Sequence, residues 1–513
     1  MHGKTAGTLR RDAIGLRDVL FQSVTAMAPA AAVAASIPSG AVFAGGSLPL
    51  SVLIALVACL FTASCVAELA RELPAAGSVA TYAARGLHPA AGFLVGWAYV
   101  FVEMLVPPLL LLQLGFTAAG TLHAEWSAYP ADLWWPWALA GAVVIACAGY
   151  LGVRASARFG TVLGVFEILV LLVFAVLLIS GAGSANTLSV FGTSHTADGY
   201  AGISGVFAGS VYTVLAFAGF EAAAPLAEET RDPRRTMHRA VLGAALGIGL
   251  FYVLTTYAMT VYFGPDRFAA FGASGEASWE GVARASFGLF WVLLFLAVVN
   301  STIANANACA NVSTRTAFAL ARVRVLPGVL ATLHPRHRSP VAGIAVQTVV
   351  AVGAVLGLGL GYDPVTAYLL LATVIVTVVV GVYIVVNLSC AGFFLRSRRA
   401  SLKPVRHLLF PVLGSAAFVP ALLTAAGLPV FDFVTELTAP VSYAGPVVGA
   451  WLAMGVLVLL VLIRRHPERI AETARVHLDA HDAGADRQDG TARSADPVTP
   501  ADGAARRPDS PTP

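Results

Sequence analysis

The sequence predicts an all-α integral membrane protein with about twelve transmembrane helices, and three observations support this prediction. Hydrophobic residues make up 58% of the 513 residues and charged residues only 12%, whereas soluble domains carry about 25% charged residues. Long apolar runs recur from about Leu20 to Ile463, and many reach the roughly 20 residues that cross a bilayer as a helix. Basic residues fall almost entirely on one side of the predicted spans.

The apolar runs divide the chain into twelve predicted spans. Each span should be helical, because backbone polar groups find no water partner in lipid; the short alternating segments of a β-barrel are missing. The first six spans are predicted at residues 20–43, 48–70, 92–121, 134–153, 160–181 and 202–225. The second six are predicted at residues 239–263, 285–320, 340–360, 364–394, 407–427 and 444–464.

The basic residues give an internal check on this segmentation. Cytoplasmic loops of membrane proteins are enriched in Lys and Arg. With the N-terminus inside, only Arg267 and Arg284 of the 32 Lys and Arg residues fall outside. A wrong span count would invert every later loop and scatter the charges. The pattern therefore predicts a multi-pass protein of the cell membrane with both termini cytoplasmic.

The two ends of the chain differ from the apolar body. Residues 1–19 are predicted to form a cytoplasmic segment that leads into the first span; the apolar run that follows is too long, and too closely followed by further spans, for a cleaved leader. Residues 465–513 mix Asp, Arg, Gly, Pro, Thr and Ala with few apolar residues. This composition predicts a disordered cytoplasmic tail.

Spans one and six each contain residues that interrupt a helix. The run from Ala28 to Gly40 contains Pro29 and Pro38, and proline inside a helix removes a backbone donor and breaks or kinks it. In span six, Gly219 permits non-helical dihedral angles and Pro225 follows six residues later. The alternative is that these residues merely kink the two spans, since Gly and Pro are common in membrane helices.

Interrupted spans at matching positions of two halves are typical of inverted-repeat transporters that bind their solute at mid-membrane. Half-helix N-termini offer unpaired N–H groups and a partial positive charge, which suit a substrate carboxylate. The predicted substrate-binding residues are Ala28, Pro29, Ala30, Ala31, Ala32, Phe217, Ala218, Gly219, Phe220 and Glu103. Phe217 and Phe220 can equally be packing aromatics.

Three carboxylates lie deep within predicted spans. An ionisable residue in a span is costly and is a functional candidate by default. Glu221 directly follows the break in span six and is the first choice for coupling or gating; its alternative role is to bond backbone groups freed by the break. Glu103 in span three can meet a substrate ammonium group or pair with another helix. Glu167 in span five is a second candidate for ion coupling.

Span eight carries a cluster of small polar side chains. Ser301 and Thr302 are candidate oxygen ligands for a sodium ion. The alternative is that they join helices by hydrogen bonds, as polar side chains in membrane helices do. The coupling ion, H⁺ or Na⁺, is left open.

Three motifs resemble the amino acid–polyamine–organocation permeases. The clearest is FAGFEAAAPLAEETRDPRRT, residues 217–236, which matches the family's break in span six and the loop after it. The second is ELARELPAAGSVATYAARGLHPAAGFLVGW, residues 68–97, and the third is STRTAFALARVRVLP, residues 313–327. The motifs have the right relative positions over roughly the first 400 residues, and their combination is specific.

The resemblance implies a fold and a function. The fold would have two five-helix inverted repeats, residues 20–181 and 202–394, followed by two extra helices at residues 407–464. The function would be transport of amino acids or amines. Three features depart from the family. Span one has alanines where a Gly-x-Gly break is usual, and Gly77-Ser78 replaces the paired glycines of the second motif. Glu167 stands where many relatives have a lysine whose ammonium replaces sodium.

The sequence favours a secondary active permease over other classes. A channel would show a repeated filter or a charged ring, and neither is evident. Enzyme motifs such as H-E-x-x-H, G-x-S-x-G and the Walker A lysine are missing, so no catalytic residues, cofactor, metal site or nucleic-acid partner are expected. A polyamine carrier with sodium coupling and a passive facilitator are the alternatives. The particular solute and the oligomeric state are not predicted.

Overall fold

The computed structural model describes residues 15–465 except residues 75–76, 152–155, 201, 231, 274–275, 323–326, 335–336, 338 and 433. Residues 1–14 of the predicted N-terminal segment, and the predicted tail beyond Arg465, lie outside the described residues. The described part is helical and contains no strand. Eleven of its helical segments are long and apolar enough to cross a membrane, and the 17-residue helix Trp135–Leu151 is a shorter apolar one. The predicted all-α membrane fold is confirmed.

The helices follow the predicted order closely. The first six spans are Leu16–Ala26 with Pro29–Ala44, Leu48–Glu72, Pro89–Glu125, Trp135–Leu151, Ser156–Ala182, and Ile203–Phe217 with Phe220–Glu229. The second six are Pro233–Phe263, Phe290–Arg322, Val341–Gly361, Pro364–Ser397, Val405–Ala426 and Ala444–Arg465. Two short helices, Ser78–Gly86 and Trp279–Phe287, lie outside the spans.

Several spans begin at a proline that follows a capping residue. The side chain of His88 accepts a hydrogen bond from the N–H of Ala90 at the start of span three. Asp363 accepts from the N–H groups of Val365 and Thr366 at the start of span ten. Proline suits the first helical turn because its missing N–H would have no partner there anyway.

The sequence predicted one continuous span over residues 285–320, and the structure divides this region. The short helix Trp279–Phe287 ends at Gly288, which has a φ of +57°. Span eight then begins at Phe290. The left-handed conformation ends the first helix and lets the chain turn into the next.

Spans one and six are discontinuous, as predicted. Span one stops at Ala26, and Ala28 adopts a left-handed conformation with φ 46° and ψ 66° before Pro29 starts the second half. Span six stops at Phe217, and Gly219 has a φ of +113° before a 3₁₀ segment begins at Phe220. The broken helices are therefore the first and sixth spans, which the sequence predicts to be the first helix of each five-helix repeat.

The packing of the spans encloses the broken helices. Span two packs against span seven, and span three packs against spans eight and ten.

We call the side of the bundle at which span one begins the N-terminal face. The end of span two and the start of span eleven meet on this face, where Glu68 pairs with Arg406 at 3.3 Å. Buried residues run along span ten from Ala367 to Phe394, so this span lies well inside the bundle.

Candidate substrate and coupling site

The two breaks lie directly against each other. A Cβ atom added to Gly219 would stand only 2.7 Å from the carbonyl carbon and oxygen of Ala26. The hydroxyl of Ser23 in span one donates a hydrogen bond of 2.8 Å to the carbonyl of Phe220 in span six. Only glycine permits both the φ of residue 219 and this close backbone contact. The unwound stretches of the two halves therefore form one site.

A cavity of about 100 Å³ opens at this junction. Its walls come from spans one, three, six, eight and ten. The predicted substrate or coupling residues that line it are Ala28, Ala31, Ala32, Ala218, Gly219, Glu221 and Glu103. Pro29, Ala30, Phe217 and Phe220 are not among its lining residues, so the structure assembles part of the predicted set.

Side chains from three other spans hold the carbonyl groups around the break in span one. The side-chain amide of Asn305 in span eight donates to the carbonyl of Ala26 at 3.0 Å. The hydroxyl of Tyr252 in span seven donates to the carbonyl of Met27 at 2.8 Å. In span three, the side-chain amide of Gln113 donates to the carbonyl of Ala31 at 2.8 Å. These donors satisfy carbonyls that a continuous helix would have paired internally.

Glu221 closes the break in span six from within the same segment. Its Oε2 atom accepts the backbone N–H of Gly219 at 3.2 Å. The same atom accepts the hydroxyl of Tyr383, in span ten, at 2.9 Å. Glu221 is 2% exposed and also lines the cavity. The carboxyl group thus contacts the break, a neighbouring span and the cavity together.

Glu103 lines the cavity and has one buried carboxyl oxygen without a hydrogen-bond partner in the part of the chain that the structure describes. The residue is 8% exposed, and its Oε2 atom has no hydrogen-bond partner among the described residues. The side chains of Tyr99 and Cys309 are its neighbours. Among the described lining residues of the cavity there is no Lys, Arg or His. Glu103 therefore offers an acceptor to a cationic group that enters the cavity.

Glu167 lies apart from the cavity with the polar residues of span eight. The side-chain amide of Asn300 donates to Oε2 of Glu167 at 3.5 Å. The hydroxyl of Thr302 donates to the carbonyls of Val298 and Val299 in its own helix. The hydroxyl of Ser301 has no hydrogen-bond partner among the described residues. The predicted coupling residues therefore divide between the cavity wall, where Glu221 lies, and this second cluster.

The two phenylalanines that flank the break are packed away from the cavity. Phe217 is fully buried and meets the ring of Tyr252 edge-on at 5.4 Å. Phe220 is fully buried beside the ring of Tyr383 at 5.1 Å. This placement matches the packing alternative left open by the sequence.

Sequence reasoning missed several residues of the site. Gln113, Tyr252 and Tyr383 were not singled out, and each bonds a group at one of the breaks. Gln113 could have been noticed as the one amide in the apolar run of span three. The two tyrosines carry no such signal, because tyrosines are frequent in membrane helices for other reasons.

Comparisons with known proteins agree with this architecture. The family model for amino acid permeases matches residues 18–469. The low-affinity putrescine importer PlaP of Escherichia coli is 28% identical over 384 residues, which cover 72% of this chain and 79% of PlaP. The branched-chain amino acid permease BcaP of Bacillus subtilis is 27% identical, with 59% of this chain and 65% of BcaP covered. A methylthioribose transporter of the same organism is 25% identical, with 62% and 69% covered.

Proposed function

Because the chain belongs to the amino acid permease family, and is therefore a multi-pass membrane transporter, we propose that it carries amino acids across the cytoplasmic membrane by alternating access. The observation that carries this proposal is the cavity between two adjoining helix breaks, whose wall includes the carboxyl residue Glu103. Secondary transporters of this architecture bind their solute at such a junction and rock the two halves around it. No nucleotide is needed, because an ion gradient or exchange supplies the energy.

The substrate carboxylate binds at the half-helix starts in this proposal. Ala30 and Ala31 follow the left-handed Ala28, and the first intrahelical bond of the second half is Ala32 N–H to Ala28 O at 2.8 Å. The N–H groups ahead of that bond, with the positive end of the helix dipole, suit an anion. Gly219 and Phe220 begin the matching half of span six, where the N–H of Gly219 is already bonded to Glu221, so span one contributes more of this interaction.

The substrate ammonium group binds at Glu103. The carbonyls of Ala26, Met27 and Ala31 are already occupied by protein donors. Glu103 retains a free acceptor, and an ammonium group would satisfy it with a charge-assisted hydrogen bond. We expect Glu103→Gln to raise the KM for amino acids at least tenfold while leaving the amount of folded protein unchanged.

Coupling is by protons or by exchange, with Glu221 as the first coupling residue and Glu167 as the second. A carboxyl group that faces both the cavity and a moving helix break can bind a proton on one side and release it on the other. The sodium alternative depends on Ser301, whose hydroxyl is unpaired, rather than on Thr302, whose hydroxyl bonds its own helix.

The N-terminal face lies in the cytoplasm in this proposal. The positive-inside distribution places all but two of the 32 Lys and Arg residues on that side. With this orientation the ion pair of Glu68 with Arg406 faces the cytoplasm, and the helix Trp279–Phe287 faces outward.

A diamine is the second candidate substrate. The cavity contains two carboxyl groups, from Glu103 and Glu221, and no basic side chain among the described lining residues. Two carboxylates suit two ammonium groups, and the relative PlaP is a putrescine importer. Under this alternative, coupling is by sodium and Ser301 contributes a ligand.

Uptake by purified protein in proteoliposomes tests these proposals. A panel of amino acids and putrescine is presented first under an inward pH gradient and then under a sodium gradient. We expect saturable accumulation of an amino acid under the pH gradient, and Glu221→Gln should abolish the accumulation while retaining exchange. Accumulation of putrescine alone under the sodium gradient would support the second candidate. Non-saturable flux would identify a passive facilitator and overturn both.

A further inference from the structure

A line of buried polar groups runs from Glu221 to the N-terminal face along the interface of spans two and ten. We call it the polar seam. The side chains in span two lie three residues apart and those in span ten four and three apart, so successive members of each set are neighbours on the helix surface. Its members are Cys59, Thr62, Cys65 and Glu68 of span two, Tyr383, Asn387 and Cys390 of span ten, and His407 at the start of span eleven.

The seam begins at the coupling carboxyl. Tyr383 donates its hydroxyl to Glu221 at 2.9 Å. One turn nearer the N-terminal face, the side-chain amide of Asn387 donates to the hydroxyl of Thr62 at 2.9 Å. Tyr383, Asn387 and Thr62 are each 0% exposed. Spans two and ten therefore bury polar side chains that face each other, although apolar side chains could pack the same interface.

The seam ends at an ionic cluster. Glu68 is 2% exposed and accepts from Arg406 at 3.3 Å, while Arg71 lies 3.5 Å from its other oxygen. The Nε2 atom of His407 is 3.8 Å from Glu68. The side chains of Arg406 and Arg71 are 50% and 39% exposed, so the cluster connects the buried seam with solvent.

Two members of the seam have buried polar atoms that no described residue pairs. These are Oδ1 of Asn387 and Nε2 of His407, in residues that are 0% and 1% exposed. An unpaired buried polar atom costs about 1–3 kcal/mol, and proteins usually satisfy such atoms with bound water. The Asn387 oxygen lies next to Thr62 and the His407 nitrogen lies next to Glu68. Water bound at these two places would complete a chain of hydrogen bonds.

The seam does not share the substrate's space. Glu221 lines the cavity, whereas Tyr383, Thr62, Asn387 and Glu68 do not. A solute in the cavity therefore has no contact with the seam except through Glu221. The substrate and a proton can leave Glu221 by different routes.

We propose that the polar seam is a hydrated proton route between Glu221 and the cytoplasm, separate from the substrate pathway. The proposal rests on Glu221 being the proton-coupling residue. In each passage the protonated Glu221 reverses the hydrogen bond seen in the structure and donates to the Tyr383 oxygen. As that proton is transferred, Tyr383 releases its own hydroxyl proton to the water and Thr62 hydroxyl beyond it. The proton leaves past Glu68 and His407, and every relay group is restored.

The test uses the full chain in proteoliposomes with a pH-sensitive dye inside, and the amino acid or putrescine that the wild type accumulates fastest as the probe. Thr62→Val keeps the side-chain volume and Asn387→Leu keeps the branched shape, and each removes the relay. We expect both to slow substrate-driven proton movement at least tenfold, while substrate-for-substrate counterflow stays within twofold of wild type. Thr62→Ser should restore proton movement because it restores the hydroxyl.

Thr373→Val is the matched control. Like Thr62, Thr373 is a fully buried threonine, but it lies in span ten outside the seam and does not line the cavity. Its replacement should therefore leave proton movement unchanged.

Wild-type proton movement in Thr62→Val and Asn387→Leu would overturn the route. Loss of counterflow in both would also overturn it, because the seam would then be structural. If Glu221→Gln retains proton movement, the proposed coupling itself fails; if only Glu221→Gln abolishes it, the coupling stands and the route is wrong.

Discussion

The breaks in spans one and six occupy matching positions, yet they are built differently. In span one the chain turns at the left-handed Ala28, and three side chains from spans three, seven and eight hold the freed carbonyls. In span six the turn is at Gly219, and the carboxyl of Glu221 binds the freed N–H itself. The break in span one is thus stabilised by side chains of other spans, whereas the break in span six is stabilised by an ionisable group of its own segment.

The hydrogen bonds at the two breaks differ in how they depend on protonation. The donors around span one are neutral, so their bonds do not depend on protonation. The bonds of Glu221 do, because a protonated carboxyl becomes a donor and its acceptor capacity falls. We infer that span six responds to the ion and span one provides the fixed side of the site.

The largest effect is expected from Gly219→Ala. The new Cβ would lie 2.7 Å from the backbone of Ala26, and a φ of +113° adds strain of about 1–3 kcal/mol for a non-glycine residue. Because the two breaks would be forced apart, initial uptake should fall about a hundredfold. Gly247→Ala is the control, since a Cβ there meets no atom within 4 Å. Normal uptake by Gly219→Ala would contradict the close contact of the breaks.

Tyr252→Phe should have an intermediate effect and test the scaffold side of the comparison. The substitution keeps the ring that packs on Phe217 but leaves the carbonyl of Met27 without its donor. An unsatisfied buried carbonyl costs about 1–3 kcal/mol, so the melting temperature in detergent should fall and the KM should rise without loss of proton coupling.

Tyr82→Phe is the matched substitution for Tyr252→Phe. Tyr82 is equally buried, and its hydroxyl has no partner among the described residues. Its replacement should leave the melting temperature unchanged or slightly raised. Equal destabilisation by the two variants would show that the bond to Met27 does not support the break.

The smallest effect is expected at Glu280, a buried carboxyl that belongs to neither break. It lies in the short helix Trp279–Phe287 and is 3% exposed. Burial raises the pKa of Glu280 from 4.5 to about 7. The folded protein therefore holds this proton more tightly than the unfolded chain does, so the stabilisation is full below pH about 4.5 and is lost as the pH rises through about 7.

Glu280→Gln should remove this pH dependence. We expect its melting temperature in detergent to vary less than that of the wild type between about pH 5 and 8, with uptake unchanged. An unaltered pH profile would show that Glu280 does not titrate in this range, and lost uptake would extend the ion-responsive region beyond span six.

The sequence by itself determined the membrane fold and the location of both breaks. Apolar run length specifies which segments cross a bilayer, and proline and glycine act on their own backbone. These effects are local, so Pro29 and Gly219 indicated the breaks without any knowledge of their neighbours. The motif over residues 217–236 likewise indicated the family.

Only the tertiary structure decided which groups meet at those breaks. Asn305 bonds Ala26 across 279 positions, and Tyr383 bonds Glu221 across 162. The helical pattern of each span shows that it is apolar all round, so it does not indicate which face turns inward. Packing against other helices makes that choice, and packing separated Phe217 and Phe220 from the cavity and placed Glu103 in its wall.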